Sequence, residues 1–383
     1  MAGIYIHIPF CKTRCIYCDF FSSVSMENKE LYIQAVCNEL MLRSAYLEGE
    51  DIHTIYFGGG TPSQLLADDF EKIFSVISSY YKNIDPSVQE ITLEANPDDI
   101  TPGYMQAIKR LPFNRISLGI QSFIDSELRF LNRRHNAESA IKAVKLCPDY
   151  GFSNISIDLM YGLPNQTMEN WQKNLKQAIE LNIQHISAYH LIYEEGTPIY
   201  KLLEKGIVNP IDDDLSVSLF EKLIDTLEES GFEHYEISNF AKKGYRSRHN
   251  SSYWDGTHYL GIGASAHSYN GASRQWNISS IADYIFYYNN SSGLKQKEPL
   301  PFETEIIDSK TAYNDFILTR LRTAEGINLE QLSFLFGEEK KNYCLRQAQK
   351  HIENQTLKIA GNHLMLTRKG IFISDGIMSD LIE

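Results

Sequence analysis

Along the first 240 residues, short apolar runs rich in Ile, Leu and Tyr alternate with longer stretches whose apolar residues recur every three or four positions. These two periods predict strands and amphipathic helices in alternation. Strands are expected at Ile4–Ile8, Thr54–Phe57, Glu90–Glu94, Arg115–Ile120, Asn154–Tyr161 and His185–Leu191. Helices are expected over Lys29–Glu48, Asp68–Tyr81, Pro102–Leu111, Ala137–Tyr150, Met168–Leu181 and Asp213–Ser230. Six βα units in series imply a parallel sheet, because parallel neighbours need crossover connections. Such a series could close into a barrel or stay open. In either case functional residues should collect at the C-terminal ends of the strands.

After Phe232–Phe240 the pattern changes. Residues 241–302 are rich in Gly, Ser, Asn and Tyr, with strand-like pieces such as Tyr259–Ile262, and read as a connecting segment. From residue 303 to 383 three helices precede a Leu357–Leu366 hairpin turning at Gly361-Asn362, and a short helix ends the chain. That order resembles a small winged-helix-like α+β domain. Such folds can bind DNA, but this one carries no basic stripe, and the chain has a formal net charge of −13. No nucleic-acid partner is expected. No apolar run approaches the ~18 residues of a membrane span, so any membrane association would be peripheral. The first residues lack a basic n-region and enter a strand at once, which reads as a cytoplasmic protein.

Chemistry enters at Cys11, Cys15 and Cys18, three cysteines on the loop after the first expected strand. A cubane 4Fe–4S cluster normally takes one thiolate per iron, so three thiolates leave one iron open to a small ligand. A structural zinc site would need four ligands, and no second pair follows. Disulfides are disfavoured on so short a loop without a secretory segment. Cys37, Cys147 and Cys344 lie in helix-like contexts and read as inert buried thiols. Gly58-Gly59-Gly60-Thr61-Pro62 follows the second strand. Consecutive glycines let a ligand approach the backbone closely. No Gly-Lys-Ser/Thr follows, so this is not a phosphate loop.

The Cys-x3-Cys-x2-Cys spacing resembles that of radical S-adenosylmethionine (SAM) proteins. The resemblance implies a partial (βα)6, TIM-like barrel with SAM on the open iron, Tyr17 near the adenine, and Gly59 and Gly60 receiving the methionine amino group. A narrower likeness, to oxygen-independent coproporphyrinogen III dehydrogenases, runs through Tyr5-x-His-Ile-Pro-Phe-Cys, Phe57-Gly-Gly-Gly-Thr-Pro, Glu94-Ala-Asn-Pro, Gly119-Ile-Gln-Ser, Asn132-Arg133 and Asp158-Leu-Met-Tyr-Gly-Leu-Pro. It implies SAM contacts from Tyr5, Gly59, Thr61, Glu94, Gln121, Arg133 and Asp158.

Two departures matter. The dehydrogenases carry a fourth cysteine where this chain has Phe20, and a longer segment ahead of the motif, whereas here the first motif cysteine is residue 11. Both departures match a sister branch, the HemW-type heme chaperones. Arg248-His249-Asn250-Ser251-Ser252-Tyr253-Trp254 resembles the His-Asn-x-x-Tyr-Trp run of that branch. Imidazole and phenolate are both iron ligands in heme proteins, and an indole offers a flat apolar face. His249, Tyr253 and Trp254 are thus the expected heme contacts, with His7, His190, His258 and His267 ranked below them. Lys242, Lys243, Arg246 and Arg248 could pair with propionates. The expected partners are heme, an apo-hemoprotein acceptor and an electron donor. The rival reading is an enzyme that oxidatively decarboxylates coproporphyrinogen III.

Overall fold

The computed structural model describes residues 1–82, 89–291 and 300–383. Six strands, β1 (Ala2–Ile8), β2 (Ile52–Gly59), β3 (Glu90–Ala95), β4 (Arg115–Gln121), β5 (Asn154–Tyr161) and β6 (His185–His190), pair in parallel in chain order. The helices between them include α1 (Lys29–Leu42), α2 (Ala67–Tyr80), α3 (Pro102–Ile108), α4 (Asp125–Phe130), α5 (Ala137–Leu146) and α6 (Met168–Glu180), and α7 (Pro198–Glu204) and α8 (Asp213–Glu229) follow β6. This is the expected α/β barrel-type layout, with most boundaries within a few residues. The expected helix Lys29–Glu48 stops at Leu42, and Ala137–Tyr150 gives way to a 3-10 turn at Cys147.

Within each strand apolar and polar residues alternate. Ile4, Ile6, Ile8, Ile55, Phe57, Ile91, Leu93, Ile116, Leu118, Ile157 and Ile186 are fully buried under the helices. Phe57 packs among Phe70, Phe74 and Phe113 with ring centroids 5.3–5.4 Å away. The alternate positions face inward and are polar: Tyr5 and His7 on β1, Thr54 and Tyr56 on β2, Glu90, Thr92 and Glu94 on β3, Arg115 and Ser117 on β4, Asp158 on β5. A barrel interior is ordinarily filled with branched apolar side chains. This one is built to meet polar groups.

Residues 241–302 are more than the connecting segment expected. After β7 (Phe232–Glu236) and β8 (Asn239–Lys242), which close one edge against β6, the chain forms α9 (Arg248–Asp255) and crosses to the other edge. There β9 (His258–Ile262) pairs in parallel with β1, and β10 (His267–Tyr269), β11 (Ser273–Asn277) and β12 (Phe302–Ile306) extend the same sheet. The sheet runs β12-β11-β10-β9-β1-β2-β3-β4-β5-β6-β8-β7. Residues 292–299 of that segment lie outside the described residues. Its anchor is Glu39 of α1, fully buried, which accepts from Arg43 Nη1 (3.1 Å), Asn277 Nδ2 (2.7 Å), the Gly263 amide (2.8 Å), and the hydroxyls of Tyr284 (2.5 Å) and Tyr288 (3.0 Å) on α10 (Ile281–Asn290). One carboxylate thereby ties α1, α10 and β11 together.

The C-terminal part has its own core, including Tyr313, Ile317, Leu332, Cys344, Leu364 and Ile377. It comprises α11 (Ser309–Leu321), β13 (Ile327–Asn328), α12 (Leu329–Glu353), the hairpin β14 (Leu357–Ala360) and β15 (His363–Leu366), then α13 (Arg368–Ile371) and α14 (Ser374–Leu381). Gly337, at φ +86°, breaks α12 into two helices, which accounts for the three helices expected before the hairpin. This unit packs beneath the barrel: Arg320 Nη2 donates to the Asp255 carbonyl of α9 (2.8 Å), and the Ala324 amide to the Tyr235 carbonyl (3.0 Å). Among the described residues no helix is long and apolar enough to cross a membrane.

Removing one member of a buried ion pair strands the other charge, which typically costs about 3–5 kcal/mol. Glu39→Ala is therefore expected to lower the urea midpoint by that equivalent. A loss under about 1 kcal/mol, the size of an ordinary surface substitution, would contradict the anchoring role.

Candidate functional site

At the C-terminal ends of β1–β6 lies a cavity of about 430 Å³. Its wall includes Cys11, Cys15 and Cys18 together with Tyr17, Gly59, Gly60, Thr61, Glu94, Gln121, Arg133 and Asp158. These eleven expected residues come from five separate βα units, and the fold brings them into one cavity. Tyr5 does not reach it. Its hydroxyl lies one layer deeper and bonds His7 Nδ1 at 3.1 Å.

The cysteine loop is held by neighbours from several units. The Cys11 amide donates to Ser23 O (2.9 Å), the Ile16 amide to Leu131 O (3.3 Å), and the Ile199 amide to Ile16 O (2.9 Å). Asn132 Nδ2 donates to Arg14 O at 2.9 Å. His7 is buried, and burial pushes its pKa down to about 4, so the ring is neutral at pH 7. Its Nε2–H donates to Phe21 O at 2.9 Å, leaving Nδ1 to accept from Tyr5. Two donors already point at sulfur: Thr61 Oγ1 at 3.4 Å from Cys11 Sγ, and Arg133 Nη1 at 3.3 Å from Cys15 Sγ.

All six cysteines are free. Cys37, Cys147 and Cys344 are buried, with burial pushing their thiols to about 11, 12 and 11, as inert core thiols should be. Among the described residues no three His, Cys, Asp or Glu side chains converge on one point as a mononuclear metal would require. A cubane makes a different demand, since its thiolates sit at separate corners. Three thiols spread along one cavity wall fit that demand and do not fit tetrahedral zinc.

Glycine has a steric reason at two places. Gly59 takes φ +106°, and a Cβ there would lie 2.5 Å from the His7 ring. At Gly119 a Cβ would lie 3.2 Å from Gln121 Nε2 and 3.3 Å from Arg133 Nη2, intruding on two cavity side chains. Gln121 is itself at φ +69°, beside an irregularity in the β4–β5 register. Non-glycine residues rarely adopt this conformation, and it gathers at functional sites. Arg133 Nη2 donates to Asn96 Oδ1 at 2.6 Å and to Gly119 O, while its Nε has no partner among the described residues.

The cavity's carboxylates are poised close to neutrality. Burial, with Asp158's charge adding to it, pushes the Glu94 carboxyl up to about 7 against donation from Tyr56 and Gly59 and the charge of Arg115. Burial pushes Asp158 to about 6 against Ser187, Arg115 and Arg133. Two acids held near neutral pH in one cavity favour a cationic or diol-bearing guest. Sequence reasoning missed Tyr56, whose hydroxyl donates to Glu94 Oε1 at 2.6 Å, and Ser117, Met160 and Tyr189, which also line the cavity. The inward half of the strand alternation could have found them.

A family model for the radical SAM superfamily matches residues 5–178, and one for the HemN C-terminal domain matches residues 307–373. Coproporphyrinogen III oxidase (HemN) from Escherichia coli superposes with a TM-score of 0.83 at 20% identity, over 100% of this chain and 90% of that one, which shows a shared fold. Heme chaperone HemW of Bacillus subtilis is 33% identical over 341 residues, 88% of this chain and 87% of its own. The chain belongs to the HemW heme-chaperone family. HemW of Lactococcus lactis is 30% identical over 381 residues, 99% of this chain and 96% of the other, and HemW of Escherichia coli is 37% identical over 270 residues, 69% of each.

The His-Asn-x-x-Tyr-Trp run expected in a HemW relative does not line the cavity. It forms α9, beneath the N-terminal ends of the strands, whereas the cavity is at their C-terminal ends. Glu90, the first residue of β3, accepts from the Arg248 amide (3.0 Å), the His249 amide (3.0 Å) and Ser247 Oγ (3.3 Å), fixing the helix start. His249 is 1% exposed. Thr54 Oγ1 lies 2.8 Å from its Nδ1 and the Tyr253 hydroxyl 2.9 Å from its Nε2. Neither nitrogen is free for iron in this conformation. The Trp254 ring sits under the Arg322 guanidinium at 5.9 Å. Arg246 is paired with Glu233 (3.2 Å) and Glu325 (2.6 Å), and Lys242 donates to Asn182 Oδ1 at 2.6 Å, so these expected propionate partners are already engaged. The lower-ranked His190 donates from Nδ1 to Leu191 O (2.9 Å) and bonds Ser216 Oγ through Nε2 (2.8 Å).

Burial, with Arg115 adding to it, pushes the His249 pKa down to about 3. Its imidazole is expected to show no NMR titration between pH 5 and 9. A midpoint near the ordinary 6.5 of an exposed histidine would show that α9 opens to solvent.

Proposed function

We propose that this protein is a heme chaperone that carries a 4Fe–4S cluster on Cys11, Cys15 and Cys18, binds SAM beside it, and passes heme to an apo-hemoprotein. The observation that supports this most strongly is the convergence of three free thiols and eight further expected residues on one cavity. When bound, the cluster would supply an open iron and an electron source; the protein's part is to hold and shield its guests. Thr61 and Arg133 would steady two thiolates by donation. Gly59 and Gly60 offer backbone to an amino group, Glu94 and Asp158 offer carboxylates to an ammonium or a ribose, and Arg133 offers its guanidinium to a carboxylate. Tyr17 stands where an adenine could rest.

Membership of the HemW family supports heme as cargo. His249, Tyr253 and Trp254 are proposed as its contacts, which requires Tyr253 or Thr54 to release the imidazole first. Phe20, 63% exposed at the cavity mouth, stands where the dehydrogenase likeness would place a fourth cysteine, which favours a chaperone over a coproporphyrinogen III dehydrogenase. An electron donor would be needed to reduce the cluster.

Anaerobic reconstitution with iron and sulfide, followed by hemin titration, tests the reading. The protein is expected to retain about four irons per chain and to bind hemin, with Cys11→Ala, Cys15→Ala and Cys18→Ala each losing the cluster. Retention of wild-type iron and sulfide by those variants would refute the ligand assignment. Robust formation of protoporphyrinogen from coproporphyrinogen III would refute the chaperone reading. SAM affinity is expected to rise with pH from about 5.5 to 7.5, as Asp158 and Glu94 ionise through about 6 and 7. An affinity flat across that window would remove both carboxylates from the contact.

A further inference from the structure

The floor and the cavity are joined by stacked rings. In register, Gly3, Thr54 and Glu90 form the lowest inward layer of β1–β3, and Tyr5, Tyr56 and Thr92 form the next. The His249 ring lies against Tyr56 at 4.9 Å with the planes 21° apart, and against Tyr5 at 6.3 Å and 26°. Tyr56 and Tyr5 stack on each other at 6.2 Å and 26°. From there two hydrogen-bonded arms rise. Tyr56 donates to Glu94 in the cavity wall at 2.6 Å, and Tyr5 bonds His7, which holds the Phe21 carbonyl of the cysteine loop at 2.9 Å. From Thr54 to Gly59 the column spans about 16 Å of strand.

The two ends of this column are constrained. Below, Glu90 pins the helix start, the C-terminal unit presses on its end through Arg320, and two hydroxyls fix the imidazole. Above, the Tyr56 hydroxyl has Glu94 as partner, and Tyr56 is 8% exposed. A side chain packed this closely responds to its neighbours by discrete shifts.

We infer that His249 and Tyr56 are positioning residues for the cavity, the imidazole bracing the Tyr56 ring so that its hydroxyl fixes the Glu94 carboxylate toward the SAM guest. The inference rests on the functional reading for the identity of that guest. It gives the histidine of α9 a duty in the ground state that does not involve iron. It also makes the two sites interdependent, because iron cannot take either nitrogen unless Thr54 or Tyr253 lets go, and a turned ring no longer supports Tyr56. By linkage, whatever factor heme imposes on SAM affinity, SAM imposes on heme affinity.

The test is equilibrium SAM binding to the reconstituted full chain. Tyr56→Phe removes the donated bond and is expected to weaken SAM about tenfold, with normal iron content. It should also move the pH at half-maximal affinity upward, because Glu94 then faces Asp158 and Arg115 without the tyrosine's donation. His249→Ala is expected to weaken SAM about two- to tenfold, and His249→Phe, which keeps a flat ring, to restore most of the loss. Leu175→Ala, a buried substitution on α6 outside the barrel, should leave SAM affinity unchanged. Saturating hemin should weaken SAM binding in the wild type and not in His249→Ala. Wild-type affinity in Tyr56→Phe and His249→Ala, or an equal loss in Leu175→Ala, would overturn the positioning role. Hemin that binds wild-type protein without altering SAM affinity would overturn the interdependence. A wild-type protein that takes up neither cluster nor SAM would overturn the functional reading and this inference together.

Discussion

Six parallel strands that each turn polar side chains inward must satisfy those groups away from bulk water, and the rest of the architecture answers that demand. An unpaired buried donor or acceptor costs on the order of 1–3 kcal/mol, more if charged. The interior therefore sorts into layers: a floor of Thr54, Glu90 and His249, a middle of tyrosines, and a cavity wall of carboxylates and amides. The polar groups that remain without partners among the described residues include Arg115 Nε and Nη1, Thr92 Oγ1 and Arg133 Nε. Each faces the barrel interior or the cavity rather than the helical shell.

The floor explains why the chain after β8 takes the course it does. A barrel bottom closed by apolar groups would leave Glu90 and Thr54 without partners, and α9 supplies them with backbone amides and an imidazole. The C-terminal unit then covers α9, through Arg320 on Asp255 and Arg322 over Trp254. The tail meets the barrel at the end opposite the cysteine loop, and the HemW-type motif lies between the two. Reaching its histidine means loosening that sandwich, whereas reaching the cavity does not.

Much of this was legible in the sequence. The six strands and their helices follow from local apolar periodicity, and the cysteine triad with the glycine run marks one end of the barrel. The residues that the dehydrogenase likeness names do gather there, apart from Tyr5, whose side chain stops one layer short. What was not legible depends on partners distant in the chain. His258–Ile262 and the strands after it are short and rich in polar and aromatic residues, and the parallel pairing of His258–Ile262 with β1 has no local signature. The motif around His249 suggests a heme contact, but nothing near it in the chain shows that its Nδ1 meets Thr54, 195 positions earlier. The polar alternation of β1–β6 was visible throughout, and read as a face it would have pointed to Tyr56 and to a polar interior.

The proposed cluster would keep one iron open beside Glu94, Arg133 and the glycine run. The most direct test is the EPR spectrum of the anaerobically reconstituted, reduced protein before and after SAM is added. A reduced 4Fe–4S signal whose g-values shift with SAM is the predicted result. A signal unchanged while SAM is bound by independent assay, or protein that holds zinc and gives no signal, would contradict the account.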